Sequence, residues 1–443
     1  MRAHYLRMLA STAAILLTLP IVASAKPPAP AVNADRLNAH LAALSRFGTN
    51  PEGGVSRVAY SDFDVAGRAY VTQLMKDAGL TVRVDAAGNL IGRLEGRNPK
   101  LPAIVLGSHT DSVPSGGNYD GDVGVLGAIE VAQRLHEAGV ALRHPLEIVN
   151  FTDEEGSMIG SLAIVGHIKP GTLDQVSHSG KTVRDGVRAV GGDPEQLPTA
   201  QRRAGELAAY VELHIEQGAI LEESKIDIGV VEGIVGIRRW DVTVHGFANH
   251  AGTTPMNRRH DALVSASDFV LAVSRVATTL PGRQVATVGV IKAEPGAPNV
   301  IPGKVTMTLE IRDLDEAKMQ QVFDAIRSKA GEIATARETP IDLVEIPLGI
   351  EPAPTHEAVR QIVATAAKSL GLSSKFMPSG AAHDAQHMTY LAPTGMIFVP
   401  SIGGISHSPK EYTAPEAVAN GANVLLRTVL AIDGGALGPA DVH

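Results

Sequence analysis

The segment AIVLG, Ala103 to Gly107, is an unbroken apolar run of strand length. After a polar loop the chain resumes with VGVLGAIEVAQRLHEAG, Val123 to Gly139, whose apolar residues recur at helical spacing. LEIVNFT, Leu146 to Thr152, reads as a second strand and runs straight into DEEG. ELAAYVELHIEQG, Glu206 to Gly218, reads as helix-like sequence ahead of another polar cluster. This alternation predicts an α/β segment over 33–231, with polar loops at strand ends, where open α/β sheets place their chemistry. Between 232 and 347 the pattern changes. RRWDVTVHG, QVATVGVI and KVTMTLEIRD read as strands, and NRRHDALVSASDFVLAVSRVA and DEAKMQQVFDAIRSKAGEIATA as helices. Val305, Met307, Leu309 and Ile311 share one face of their strand, and Thr306, Thr308, Glu310 and Arg312 the other. The expectation here is a smaller α+β domain, one sheet with two helices on one face. Over 348–435 the α/β texture returns through the helix HEAVRQIVATAAKSLG, the strand TGMIFVPS and a last helix with Pro415 near its start. One α/β domain in two chain segments, interrupted by a second domain, is the predicted organisation.

At 443 residues the chain exceeds what one hydrophobic core ordinarily fills, which suits two domains. Aromatic residues are 4% against 44% hydrophobic, so the core must be mostly aliphatic. A formal charge of -8 with no long basic run gives no reason to expect a nucleic-acid partner. The chain has no cysteine, which excludes a disulfide scaffold, a thiol nucleophile and thiolate metal ligands. Any metal must be held by His, Asp and Glu. The N-terminus adds a targeting expectation. MRAHYLR is positively charged, MLASTAAILLTLPIVA is apolar, and Ala23 to Ala25 form a small-x-small cleavage pattern, so residues 1–25 read as a secretory signal peptide. Export to the periplasm is expected, with KPPAPAV as a flexible leader. No later segment reads as a membrane span, so the mature chain is not expected to insert stably in a membrane.

The polar clusters carry the candidate chemistry. SHTDSVPSGGNYDGD, Ser108 to Asp122, gathers His109, Asp111, Asp120 and Asp122 among Gly and Pro. An imidazole ligates a metal through one ring nitrogen while the other donates to an acceptor that fixes the ring, and an aspartate two residues on could supply that acceptor. Asp120 precedes Gly121, whose freedom lets the backbone turn sharply. One carboxylate can join two ions about 3.5–4 Å apart. In DEEG, Asp153 to Gly156, adjacent acids directly follow an apolar strand, and keeping both charged needs compensation, which a metal supplies. One glutamate could then ligate while the other takes a proton from water. HIEQG, His214 to Gly218, and HSPKE, His407 to Glu411, add two imidazoles. Taken singly, each cluster also fits a structural role: an Asp-stabilised turn, a solvated acidic loop, a satisfied histidine. Together, three histidines, one aspartate and one glutamate make the nitrogen and oxygen ligand set of a divalent-metal hydrolase.

The chain resembles the M20-type metallo-amidohydrolases, and within them the branch of N-carbamoyl-L-amino-acid amidohydrolases, allantoate amidohydrolases and β-ureidopropionases. The matching segments are GSHTDSVPSGGNYDGDVGVLGAIE, FTDEEGS, ELHIEQG, HAGTTPMNRRHDAL, PNVIPGKVTMTLEIRD, SGAAHDAQHM and GISHSPKE, in order between residues 107 and 411. HIEQG with HAGTTPM points to this branch rather than to the family's peptidases and deacylases. The resemblance implies an α/β, metallopeptidase-like catalytic domain with a central mixed sheet, and an inserted α+β lid and dimerisation domain. It implies two divalent ions per subunit, with His109, Asp120 and His407 on one, and bridging Asp120, Glu155 and His214 on the other. Glu154 would be the general base, and Asp111 would orient His109. Arg312 would anchor a substrate carboxylate with Asn299 beside it, and Gln217 would also bind substrate. His250 would touch the substrate carbonyl or developing oxyanion, from the same subunit or from the other subunit of a homodimer. Ser379 and Gly380 would approach substrate through backbone groups, and His383 would contact or support it without ligating metal. Relatives often carry glycine where this chain has Ala382, and the added methyl narrows the pocket or shifts the backbone. Zn²⁺ is the first expectation for the metal, with Mn²⁺, Co²⁺ and Ni²⁺ also suited to imidazole and carboxylate.

The reaction so implied is hydrolysis of a linear, non-peptide C–N bond. Its substrate would be an N-carbamoyl-L-amino acid or similar ureido acid, attacked by a bridging hydroxide with Glu154 as base. The nearest alternative is an allantoate amidohydrolase, and a more distant one a metallo-aminoacylase or dipeptidase. A non-catalytic periplasmic ligand-binding protein on the same fold is the alternative from another class.

Overall fold

The computed structural model describes Met1 and residues 30–438, so the expected signal peptide, Met1 apart, lies outside the described residues. Helices α1 (Ala34–Leu44) and α2 (Asp62–Asp77) precede the hairpin of β1 (Thr81–Val84) and β2 (Leu90–Leu94). Then come β3 (Ala103–His109), α3 (Asp122–Glu137), β4 (Leu146–Phe151), the short helices α4 (Ile159–Val165) and α5 (Val183–Ala189), and β5 (Leu207–Ile215). Helix α6 (Ile220–Ser224) and strand β6 (Ile228–Ile234) lead into a second sheet. In chain order that region holds β7 (Gly236–His245), β8 (Asn249–His250), α7 (Ala262–Thr279), β9 (Val285–Glu294), β10 (Val300–Ile301), β11 (Lys304–Asp313), α8 (Glu316–Arg337) and β12 (Ile341–Ile350). The chain returns to the first sheet through β13 (Ala353–Pro354), α9 (Glu357–Ser369), β14 (Ser374–Ser379), α10 (Asp384–Met388), β15 (Thr394–Val399) and α11 (Pro415–Asp433).

The first sheet is mixed, in the order β1-β2-β4-β3-β5-β15-β6-β13, with β14 also paired to β6. Its centre, β4-β3-β5-β15, is parallel, so four carboxyl ends open on one side. Every residue of these four strands is buried. One face packs under α1, α2, α3, α9 and α11 through residues such as Leu106, Ile129, Val363 and Leu425. The opposite face buries Val105, Phe151, Tyr210 and Phe398. Covered on both sides, such strands read as continuous apolar runs, which is why AIVLG, LEIVNF and TGMIFV were recognisable.

Residues 206–218, expected to be helix-like, instead form β5. Ala, Leu and Glu favour a helix in isolation, but packing on both faces of a central strand overrides that preference. Glu212 is tolerated inside because Ser108 Oγ and Tyr210 OH donate to it at 2.9 and 2.8 Å.

The second sheet is antiparallel throughout, in the order β12-β7-β11-β9, with α7 and α8 on one face. Val305, Met307, Leu309 and Ile311 point into that core with Trp240, Phe269 and Phe323. Contrary to the expectation that no later segment suits a membrane, α7 is long and apolar enough by length and composition to cross one. Its buried face, Ala262, Ala266, Phe269 and Val273, packs in the core of the second sheet.

Candidate metal centre

The four parallel strands deliver the polar clusters. His109 ends β3, His214 is the penultimate residue of β5, Glu154 and Glu155 follow β4, and His407 follows β15. Asp120 lies among them. Its Oδ1 is 3.6 Å from His109 Nε2 and 3.2 Å from His214 Nε2. His407 Nε2 is 3.3 Å from Asp120 Oδ2 and 3.4 Å from Glu155 Oε1. The ligand atoms therefore form two groups that share Asp120: His109, Asp120 and His214, and Asp120, Glu155 and His407. The five expected residues meet, but the partition differs from the expected one, which put His407 with His109 and His214 with Glu155. The reason is strand order. β3 and β5 are hydrogen-bonded neighbours, so His109 and His214 emerge side by side with ring centroids 5.9 Å apart.

Main-chain carbonyls set both buried rings. His109 Nδ1 lies 2.9 Å from the Asp111 carbonyl, and His214 Nδ1 lies 2.9 Å from the Ile215 carbonyl. With Nδ1–H donated there, each Nε2 is left facing Asp120 Oδ1, where its lone pair would serve a cation held between them. Asp111 thus orients His109 through its backbone, not through the carboxylate expected to do so, whose Oδ1 is 3.9 Å away. That carboxylate instead accepts the amides of Glu154 at 3.3 Å and Glu155 at 3.1 Å, fixing the acidic turn. Gly121 has φ +67°, and a Cβ there would sit 2.5 Å from the His109 ring, so glycine alone lets the Asp120 loop close over the imidazole.

The residues fit a pair of cations. Burial, then the charge of Asp120, pushes Glu155 up to about 8. Burial first, then Asp384, Glu155, Asp111 and Asp120, raises Glu154 well above the usual carboxylate range. Burial lowers His109 to about 4. For His214 burial opposes protonation, but the hydrogen bond and charge of Asp120 outweigh it and raise the ring to about 9. Glu155 Oε1 is buried and accepts no hydrogen bond. Crowded acids that push one another's pKa upward are the environment that divalent ions relieve, and imidazole with carboxylate is a suitable donor set.

Two supporting residues were not anticipated. Glu411 accepts the amides of Tyr119 at 2.9 Å and Asp120 at 3.0 Å and the Ser406 hydroxyl at 2.7 Å, tying the Asp120 loop to the His407 loop. Its presence in HSPKE was the available signal. Arg57, fully buried, donates to both oxygens of Asp122 at 2.8 and 2.6 Å and to the carbonyls of Leu44, Phe47 and Thr110. A lone arginine distant in sequence carries no signal of this. Removing it strands a buried carboxylate, so Arg57→Met is expected to cost about 3–5 kcal/mol. A lower urea midpoint measures this, and an unchanged midpoint refutes it.

The profile of Peptidase family M20/M25/M40 matches residues 105–431. The chain belongs to this family. It is 41% identical over 403 residues to an N-carbamoyl-L-amino acid amidohydrolase of Geobacillus stearothermophilus, covering 90% of this chain and 98% of that protein. It is 39% identical over 410 residues to a ureidoglycolate hydrolase of Arabidopsis thaliana, covering 90% of this chain and 86% of that protein. Among solved structures, an amidase of the hydantoinase/carbamoylase family from Burkholderia multivorans is 38% identical with a TM-score of 0.84, over 91% of this chain and 98% of that one. M20 proteins generally bind divalent metals, in keeping with the candidate groups above. This chain is an M20 amidohydrolase.

The ligand cluster of the M20 protein opens into a cavity of ≈ 320 Å³. Glu154, Gln217, Arg312 and His383 line it together with an apolar part made by Met158, Ile237, Ala381 and Ala382. Gln217 Nε2 donates to Asp120 Oδ2 at 2.7 Å, and His383 Nε2 lies 2.9 Å from Ser379 Oγ. The Ser379 carbonyl accepts the Val235 amide, and the Gly380 carbonyl accepts Arg312 Nη1 at 2.7 Å. His250 and Asn299 lie together at the β8–β10 ribbon, where His250 is exposed and its Nδ1 accepts the amides of Gly252 and Thr253. Of the seven expected substrate residues, Gln217, Arg312 and His383 line the cavity, whereas His250, Asn299, Ser379 and Gly380 are not among the described residues that do.

Proposed function

We propose that this M20 amidohydrolase cleaves the carbamoyl C–N bond of N-carbamoyl-L-amino acids or similar ureido acids. The observation that carries the reading is the presence of Arg312 in the same cavity as Glu154 and the ligand cluster. A cationic fork and a hydrolytic centre facing one space suit a small acid cut at a fixed distance from its carboxylate. An N-carbamoyl-L-amino acid amidohydrolase and a ureidoglycolate hydrolase among the relatives support a ureido compound as substrate.

His109, Asp120 and His214 would hold one divalent ion, and Asp120, Glu155 and His407 the other, Zn²⁺ being the first choice. Such ions supply Lewis acidity and lower the pKa of water toward neutrality. Glu154 takes the proton of the attacking water and returns it to the leaving nitrogen. Asp111, through the two glutamate amides, keeps Glu154 and Glu155 in register. Arg312 grips the substrate carboxylate in two parallel hydrogen bonds, and Gln217 contacts the bound acid. The released carbamate falls apart to ammonia and carbon dioxide, leaving the free amino acid. His250, absent from the cavity of its own chain, would donate to the developing oxyanion from a partner subunit. A homodimer through the second sheet suits the edge strand β9, which exposes Val290 and Ile291, and helix α7, which exposes Leu263 and Leu271. Export with cleavage after Ala25 completes the proposal, and N-terminal sequencing of the natively produced protein tests that part.

The function is tested by stripping the protein of metal, reconstituting it with Zn²⁺, Mn²⁺, Co²⁺ or Ni²⁺, and measuring turnover of a carbamoyl amino acid, allantoate, an acyl amino acid and a dipeptide. Turnover of the last two alone overturns the reading, and binding without turnover in metal-replete protein favours a binding protein. Arg312→Met is expected to raise KM for the ureido acid about 30–100-fold with kcat much less affected. Equal loss in kcat would show that Arg312 does not act by anchoring.

A further inference from the structure

We infer that Glu310 is a positioning residue for Arg312, setting the plane of its guanidinium toward the cavity while Arg239 offsets the charge that Glu310 brings. The inference rests on the reading in which Arg312 anchors the substrate carboxylate. β11 and β7 pair antiparallel with Glu310 opposite Arg239 and Arg312 opposite Ile237. Directly opposed residues share a face, so these four side chains stand on the face away from the helices. That face reaches the cavity at Ile237 and Arg312, and Glu310 stands one step behind them.

The contacts are specific. Glu310 Oε1 accepts Arg312 Nε at 2.7 Å, and Glu310 Oε2 accepts Arg239 Nε at 2.6 Å. The Gly380 carbonyl, just past the end of β14, accepts Arg312 Nη1. A guanidinium is flat and carries five N–H donors. Held at Nε and Nη1, its plane is set, and both Nη2 hydrogens and one on Nη1 are left to meet a carboxylate. An unsupported arginine would have to surrender side-chain freedom on binding, whereas this one is arranged beforehand. A bare carboxylate beside the anchor would repel an acidic substrate. Arg239 removes that objection, because two arginines and one glutamate sum to a single positive charge. Burial opposes ionisation of Glu310, but its hydrogen bonds to Arg312 and Arg239 outweigh it and lower its pKa. As a purely structural device the ladder would contribute little, since partly exposed ion pairs add little to stability.

The test compares Glu310→Ala, Glu310→Gln and Arg239→Met in the metal-loaded enzyme, on a ureido acid from the panel and on its carboxamide, which has no carboxylate to anchor. Glu310→Ala is expected to raise KM for the acid about tenfold with kcat within about twofold, and to leave kcat/KM for the carboxamide unchanged. Glu310→Gln, which keeps an acceptor oxygen for Arg312, is expected to be milder. Arg239→Met is expected to raise KM for the acid as well, by exposing the substrate to the Glu310 charge. Where the carboxamide turns over too slowly, competitive inhibition by the product amino acid and by its amide gives the same contrast. Equal losses on both compounds, or an unchanged KM for the acid, overturn the inference. Should Arg312→Met leave KM for the acid unchanged, the anchoring reading fails and this one with it. Should Arg312→Met raise it while the Glu310 variants do not, only the positioning role fails.

Discussion

Glu154→Gln is expected to lower kcat by about 10³–10⁴-fold while leaving the bound metal in place. Glu154 lines the cavity but belongs to neither ligand group. Its Oε2 lies 3.6 Å from His109 Nε2, beside the candidate ligand groups. Burial and the surrounding acids raise its pKa, so it is a carboxylate disposed to take up a proton. Glutamine matches its shape and keeps the amide hydrogen bond to Asp111, but it cannot accept the proton. The companion change Glu155→Gln is expected to lose metal, since Glu155 shares a group with His407 and Asp120. Metal analysis alongside steady-state kinetics decides between them. Metal retained in the Glu155 variant and lost in the Glu154 variant would exchange the two roles.

Asp120→Ala is expected to strip both ions and take turnover below detection. Its two oxygens face different sets of ligands, Oδ1 toward His109 and His214 and Oδ2 toward His407. No other residue belongs to both groups among the described residues. Removing it also deprives Gln217 and Ser406 of the oxygen to which they donate. His407→Ala is the useful contrast, because it leaves His109, Asp120 and His214 intact and is expected to lose one ion only. Metal-to-protein ratios measured after gel filtration read out the difference. An Asp120→Ala protein that keeps one ion tightly would show that the carboxylate does not bridge.

Much of this centre was legible because ligand-bearing loops follow strands buried on both faces. The switch from an apolar run to Gly, Pro and polar residues marks such a strand end, as after His109, Phe151 and Val399. β5 escaped because its Ala, Leu and Glu content imitates a helix, and only its neighbours in the sheet settle the matter. β12 escaped for a different reason. It is an edge strand that carries Pro347 and Gly349, residues that weaken a strand signal. Adjacency was the harder property. That His109 meets His214 rather than His407 follows from the order β3-β5, which no spacing along the chain encodes. Residue type also does not say whether Asp111 acts through its carbonyl or its carboxylate, and here it uses both. Arg57 and Glu411 find their partners 65 and 292 residues away; HSPKE hinted that Glu411 serves the site but not with which partners, and the isolated Arg57 gave no hint at all.

His109 and His407 stand about 300 positions apart, yet they close on the same aspartate. A nascent chain halted before β15 would already hold four of the five ligands but would lack the strand that covers β5 and the histidine that follows it. Long-range pairing of this kind forms late, after loop closure across most of the polypeptide. A molecule shortened before β15 is therefore expected to be inert rather than weakly active, since it lacks both that strand and His407.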